Sequence, residues 1–300
     1  MKKNLFVIIL LFQGILTFAK NFKLPVELSS DMLFLEFLFI SDSKLKLQEV
    51  SNKHVVKDHI EGVKHIKTIN YKIKHDYGIP YIELEDEIPA YLFGKTELSS
   101  EARRKLYFIC GLNKEEYFVH KFGGVSGYHI FDSTMDTFNS HVRVEYIKAS
   151  SYLTEKIIHY DESNLALKNW EIPWVENVPG YGIGEYVEIK DVTPEPYKKK
   201  INYLLILNGY FSVEKPYLYK QNSRVKQIKV TGLNSGKEKI LDVLDTPHPQ
   251  TVDISFLETQ EPFRVTIMDV YKGTKYDDTC INCMEPYPYA VIPYEDSIGE

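Results

Sequence analysis

Little in this sequence could build a redox or metal centre. It has three cysteines in 300 residues. Cys280 and Cys283 form a lone Cys-x-x-Cys, and Cys110 has no local partner. Three thiols cannot make a four-cysteine zinc site, and no histidine lies near Cys280. A thioredoxin-like centre needs a βαβ setting, which the surrounding pattern does not supply. A buried free thiol at Cys280, or one oxidised to Cys283, is the plainer expectation. Catalytic signatures are missing too. There is no Gly-x-Ser-x-Gly elbow, no His-Glu-x-x-His helix and no paired Cys/His pattern. His129, His159 and His248 are isolated, and Glu85, Asp86 and Glu87 form a solvated charge run. Positive charge is in deficit as well, with a formal net charge of −6. That disfavours nucleic acid and anionic lipid, which need a basic face.

Long apolar runs are absent beyond the N-terminus. There, Lys2 and Lys3 precede an apolar stretch from Leu5 to Leu16, followed by Thr17, Phe18 and Ala19. This is the pattern of a secretory signal peptide cut after Ala19. The stretch is too short for a membrane span, which takes about 20 residues. Cleavage would remove Lys2 and Lys3 and leave a formal charge of −8. The expected location is secreted, periplasmic or at the cell-envelope surface, with no transmembrane span after cleavage.

What the chain does have is tyrosine, 22 of them. Tyrosine favours strands and offers a flat apolar face with a hydroxyl. Short apolar or alternating runs recur at about ten-residue spacing, the pattern of an all-β protein. Strands are expected over 32–40, 69–74, 79–84, 90–93, 105–110 and 116–120, as a small barrel or open sheet. A second series is expected over 186–189, 200–207, 225–231, 238–243, 250–256 and 263–270, with spacing that fits two packed antiparallel sheets. The Pro- and Tyr-rich segment from Glu285 suggests an extended arm or frayed end. The expected divisions are a signal at 1–19, a β-rich domain of unknown function at 20–143, a β-sandwich at 144–290 and a tail at 291–300.

Four segments of the second half stand out. They are Trp174-Val-Glu-Asn-Val-Pro-Gly-Tyr-Gly-Ile-Gly-Glu185, Leu207-Asn-Gly-Tyr210, Asn222-Ser-Arg-Val-Lys-Gln-Ile228 and the run from Met268 to Cys280 that holds Asp277 and Asp278. In this order they resemble the NADase-type glycan-binding, or translocation, domain, a discoidin-like (F5/8 type C-like) β-sandwich. The resemblance covers residues 146–289 and leaves the N-terminal half unrecognised. Ala149, Ser150 and Ser151 match the segment that opens that sandwich. Leu167 stands where the family has an aspartate, which weakens any claim for calcium.

The glycines at 180, 182 and 184 could be mistaken for a phosphate-cradling loop. They precede a strand, whereas such a loop opens a helix. A sharp loop with positive φ explains them better. Trp174, Glu176 and Glu185 either anchor the core and tie loops together or contact a ligand. Asn222, Arg224 and Lys226 would share a strand face suited to sugar hydroxyls or carboxylates, with Tyr210, Tyr217 and Tyr219 close by. Alternatively, Arg224 pairs with Asp277 or Asp278 and holds the sandwich shut.

The fold expectation is therefore all-β: a C-terminal discoidin-like antiparallel sandwich of jelly-roll type, preceded by a smaller β-rich domain. The expected function is non-catalytic binding of a carbohydrate or other surface ligand. Candidate ligand-binding residues are Trp174, Glu176, Glu185, Asn208, Tyr210, Asn222, Arg224, Lys226, Asp277 and Asp278. No catalytic residue, metal or cofactor is expected. Glycan, cell-surface ligand and protein are the candidate partners. The alternatives are a structural protein–protein module of a bacterial envelope, or an NAD glycohydrolase-like enzyme in the N-terminal half.

Overall fold

The computed structural model describes residues 23–28, 33–41, 43–51, 55–56, 59–60, 63–87, 100, 102–113, 119–123, 129–131, 142–166, 172–194, 197, 200–212 and 215–293. The signal segment, the strand expected at 90–93, Leu167 and residues 294–300 lie outside them. Described residues within 1–75, 80–108 and 120–134 form one compact unit. Those within 76–79, 109–119 and 135–300 form a second.

The first ten strands are β1 (Lys23–Leu28), β2 (Leu33–Ser41), β3 (Lys44–Ser51), β4 (Val55–Val56), β5 (His59–Ile60), β6 (Val63–Asp76), β7 (Ile79–Leu84), β8 (Lys105–Asn113), β9 (Val119–Gly123) and β10 (His129–Phe131). β4 and β5 make a minimal hairpin. The other eight are neighbours in chain order, and β10 pairs back onto β1 through Val26 and Ile130. This is an up-and-down barrel, and closure leaves no exposed edge among its strands. Alternation makes it possible. Leu45, Leu47, Ile69 and Tyr71 are buried, while Lys44, Thr68, Asn70 and Lys72 on the other face are exposed.

The second unit holds β11 (Val144–Ala149), β12 (Thr154–Glu155), β13 (Ile158–His159), β14 (Trp174–Val175), β15 (Tyr186–Asp191), β16 (Tyr203–Asn208), β17 (Ser223–Gly232), β18 (Glu238–Asp242), β19 (Gln250–Asp253), β20 (Phe263–Tyr271), β21 (Thr279–Tyr287), β22 (Val291–Pro293) and the one-turn helix α1 (Leu218–Gln221). One antiparallel sheet runs β11-β15-β20-β17-β18, and the other runs β14-β21-β16-β19. A two-residue parallel pairing of Ser223–Arg224 with Thr279–Cys280 joins them. Val187, Ile189, Ile228, Val265 and Ile267 of the first sheet cluster with Trp174, Leu204, Ile206, Ile281 and Met284 of the second. Two inner faces sharing one core make a sandwich of the discoidin-like kind.

Glu285, Pro286 and Tyr287 were expected in an extended arm, but they finish β21. Pro286 is tolerated because β16 alone pairs β21 there among the described residues.

Candidate functional site

At one end of the sandwich, the loops entering β15, β17 and β21 meet the loop leaving β16. Polar residues buried beneath them hold these loops. Trp174 is 1% exposed in the core, and its indole N–H donates to the Ser151 carbonyl at 3.1 Å. The Ser150 and Ser151 hydroxyls each donate to Glu185 Oε2 at 2.6 Å. Tyr186 N–H donates to Ser150 Oγ and Asn177 N–H to Ser151 Oγ. The serine pair thus ties the segment opening the domain to both ends of the glycine-rich loop.

Glu176 is fully buried. Its Oε1 accepts from Thr279 N–H at 3.1 Å and its Oε2 from Val178 N–H at 2.9 Å. Burial raises its pKa, the two N–H bonds oppose the rise, and the charges of Asp278 and Glu185 add to it. Thr279 Oγ1 donates to the Tyr181 carbonyl at 2.8 Å, so the loop is stapled to β21 from both sides. Gly182 has φ +67°, and a Cβ there would lie 2.5 Å from Glu176 Cγ. Both the backbone sign and the close approach demand glycine. Gly182→Ala is expected to destabilise the domain by about 1–3 kcal/mol, from positive-φ strain with displacement of Glu176. Urea denaturation of the variant against wild type measures it, and an unchanged midpoint would count against the staple.

A second network lies beneath α1. Asn208 acts as backbone in side-chain form. Its Nδ2 donates to the carbonyls of Val225 at 2.7 Å and Leu244 at 3.2 Å, and its Oδ1 accepts from Val225 N–H at 2.9 Å. Arg224 is 4% exposed. Its Nε and one terminal nitrogen donate to the two oxygens of Asp245 at 2.6 and 3.1 Å. The other terminal nitrogen donates to the carbonyls of Tyr219 and Asn222, both at 2.9 Å. The guanidinium also lies 5.0 Å from the Tyr219 ring centroid. Arg224 therefore pairs with Asp245 rather than with Asp277 or Asp278. Asn222 caps α1 from before β17, its Nδ2 donating to the Leu218 carbonyl at 2.9 Å. Lys226 sits at a register shift and is exposed, 2.6 Å from Asp269 Oδ2. These three do not form one open polar stripe, because the segment that includes α1 covers Arg224.

Tyr210 is half-buried and meets Tyr160 edge-on at 6.4 Å, in a cluster with Val175 and Cys280. Burial raises its phenol pKa. Cys280 and Cys283 are both buried free thiols, and burial raises both. Asp277 is exposed. Asp278 is half-buried, and its pKa is raised by burial together with the charges of Asp277 and Glu155.

The solvent-facing groups at this end include some that sequence reasoning passed over. Tyr152 and Tyr276 are exposed at 43% and 36%. The Lys275 ammonium lies 4.6 Å from the Tyr276 ring, and that of Lys272 lies 4.7 Å from the Tyr181 ring. The signal available for Tyr276 was its place beside Asp277 and Asp278. Ile157 and Ile183 project as apolar tips, at 90% and 55% exposure.

Eighteen solved chains match this chain. A family 32 carbohydrate-binding module from C. perfringens NanJ, solved in complex with galactose, is 13% identical with a TM-score of 0.33. The match covers 51% of this chain and 94% of that one. The family 32 module of Streptococcus pneumoniae EndoD is 12% identical with a TM-score of 0.33, covering 48% and 94%. A GH31 CBM32-2 module bound to GalNAc is 12% identical with a TM-score of 0.32, covering 52% and 99%. At those scores the likeness bears on no ligand of this chain. No curated protein matches the chain. Residues 137–285 match the family model described as the NAD glycohydrolase translocation F5/8 type C domain.

Proposed function

We propose that this chain is a secreted or envelope-associated, non-catalytic binding protein whose C-terminal domain recognises a carbohydrate at the loop end of its sandwich. The observation that carries this is the division of labour at that end. Trp174, Glu176, Asn208, Asn222 and Arg224 are buried and hold the loops in place. Tyr152, Tyr276, Asp277 and Lys275 are left facing solvent on that frame. An exposed aromatic face beside oriented charged groups suits a sugar ring, which has an apolar face and a rim of hydroxyls. Loops held by buried hydrogen bonds lose little entropy on binding. Glu185, Tyr210, Lys226 and Asp278 contribute at the margins of this surface. Trp174, Glu176, Asn208, Asn222 and Arg224 act on the ligand through loop position.

A single sugar binds weakly, because its hydroxyls exchange water bonds for protein bonds at small net gain. Larger glycans or several copies of the chain on a surface supply the avidity. The family match supports the non-catalytic reading for residues 137–285 and leaves the barrel's role open to assay. The test is a glycan array with the full chain beside Tyr276→Ala. We expect selective retention of some glycans, with affinity at least about tenfold weaker in the variant and an unchanged melting temperature. No retention by folded wild type would overturn the reading. The exposed Ile157 and Ile183 favour a second reading, a protein-contact module of the envelope. In that case, capture of envelope protein would be lost in Ile157→Asp with no response to glycans.

A further inference from the structure

Where the glycine-rich loop enters β15, one carboxylate is bonded on a single side. Glu185 Oε2 accepts from the Ser150 hydroxyl and from the Ser151 hydroxyl, both at 2.6 Å. Oε1 takes no bond from any described residue and, in this half-buried residue, lies open to solvent. Two other carboxylates of this unit that tie loops are used differently. Glu176 gives one oxygen to Thr279 N–H and the other to Val178 N–H. Glu261 Oε1 accepts from Ser235 Oγ and Glu258 N–H, and its Oε2 from the N–H groups of Asn234 and Ser235. Holding loops occupies both oxygens there. At Glu185 two short donors converge on one oxygen, which pins the carboxylate and leaves the other oxygen at the surface.

The surroundings of that oxygen are fixed and open. The Ser151 hydroxyl accepts from Asn177 N–H at 3.0 Å and the Ser150 hydroxyl from Tyr186 N–H at 2.8 Å, so backbone holds both serines in turn. Asn177 is exposed, and its side-chain amide can donate and accept. Tyr152 follows Ser151 in the chain and is 43% exposed. A Cβ on Gly184, beside Glu185, would meet nothing within 4 Å, so there is free space next to the carboxylate's backbone. A group already held by the protein needs little further ordering when a ligand arrives.

An ionised carboxylate accepts hydrogen bonds and donates none. It therefore takes a hydroxyl or an amine from a ligand and refuses a second carboxylate or a sulfate at the same point. We propose that Glu185 sets ligand specificity at the loop end, accepting through Oε1 from a hydroxyl or amine of a neutral or amino sugar, with Ser150 and Ser151 as its positioning residues. This inference rests on the carbohydrate reading above and names the sugar class. The Asn177 amide serves a neighbouring hydroxyl, and the Tyr152 ring offers a flat apolar face to the sugar.

The test is retention of the full chain on an array of neutral, amino and acidic glycans, beside Glu185→Gln with its melting temperature. Wild type is expected to hold neutral or amino-sugar glycans over carboxylated and sulfated ones. In Glu185→Gln the amide oxygen keeps the two serine bonds, and the NH2 group stands where Oε1 stood. A donor then replaces an acceptor, so affinity for the favoured glycans falls at least about tenfold and the discrimination against acidic ones disappears. A purely structural Glu185 would instead lower the melting temperature and weaken all glycans alike. That result, wild-type selectivity in Glu185→Gln, or a wild-type preference for acidic glycans overturns the inference and leaves the carbohydrate reading standing. No retention of any glycan by folded wild type overturns both. If Glu185→Gln does not fold, Glu185→Asp decides, because it keeps the charge and draws the oxygen back by a methylene. An unchanged affinity there overturns the inference.

Discussion

Asp245→Ala is expected to destabilise the C-terminal unit by about 3–5 kcal/mol, because it strands a buried cation. Arg224 has a side chain only 5% exposed, against 29% for Asp245. Removing the carboxylate leaves the guanidinium with the carbonyls of Tyr219 and Asn222 and no counter-charge. Lys220, 3.8 Å from Asp245 in the native protein, would then only add repulsion. The reverse change is milder. In Arg224→Ala the half-exposed Asp245 can rehydrate, leaving chiefly two orphaned carbonyls at about 1–3 kcal/mol. The order, with Asp245→Ala the worse, separates a buried ion pair from a surface one. Urea denaturation of both variants checks it, and a loss below about 1 kcal/mol for Asp245→Ala would place the pair among ordinary surface bridges.

The same pair has a pH signature. Burial pushes the Asp245 carboxyl up, but the hydrogen bond and charge of Arg224, with Lys220 and Tyr219, hold it below the usual value. A depressed carboxylate contributes stability that is present above its unfolded pKa of about 4 and lost as pH falls through the folded value. Wild type should therefore show an acid limb below about pH 4 that is reduced in Asp245→Asn. Glu176 and Asp278, both raised, act in the opposite sense and favour the fold as they protonate.

Trp174→Ala is expected to cost about 3–5 kcal/mol through the cavity it leaves. The indole is 1% exposed between the two sheets, packed in the cluster that includes Ile281 and Met284. β14 is only two residues long and pairs Trp174 with Ile281, so its place depends on the side chain more than on its own ladder. Trp174→Phe keeps most of the volume and leaves the Ser151 carbonyl without its 3.1 Å donor, at about 1–2 kcal/mol. Thermal and urea melts followed by far-UV circular dichroism distinguish the two. A phenylalanine variant as unstable as the alanine one would show that the hydrogen bond, not the packing, holds β14.

Strands with one buried face were legible. β17 and β20 run with alternating burial over most of their length, and that alternation is written in Ile228, Val230, Val265 and Ile267. β21 was not, although it joins the two sheets. Its run from Thr279 to Met284 is buried throughout, so alternation is absent and its cysteines, asparagine and proline carry no strand signal. The glycine-rich loop was legible as a positive-φ turn, since Gly180, Gly182 and Gly184 all have positive φ.

The sequence alone determined the strand-rich class and the motif order that identifies the C-terminal domain, because period-two patterning and glycine chemistry are local. It also singled out segments that meet at the loop end, but not the bonds their side chains make. Only tertiary structure decided that Arg224 pairs with Asp245, 21 positions away, when several aspartates were equal candidates by composition. Only tertiary structure left Asp191 Oδ2 without a hydrogen-bond partner among the described residues while satisfying Glu261. It also closed the N-terminal strands into a ring through the pairing of β1 and β10. Burial and charge pairing depend on which distant segments pack together, and no local pattern encodes that choice.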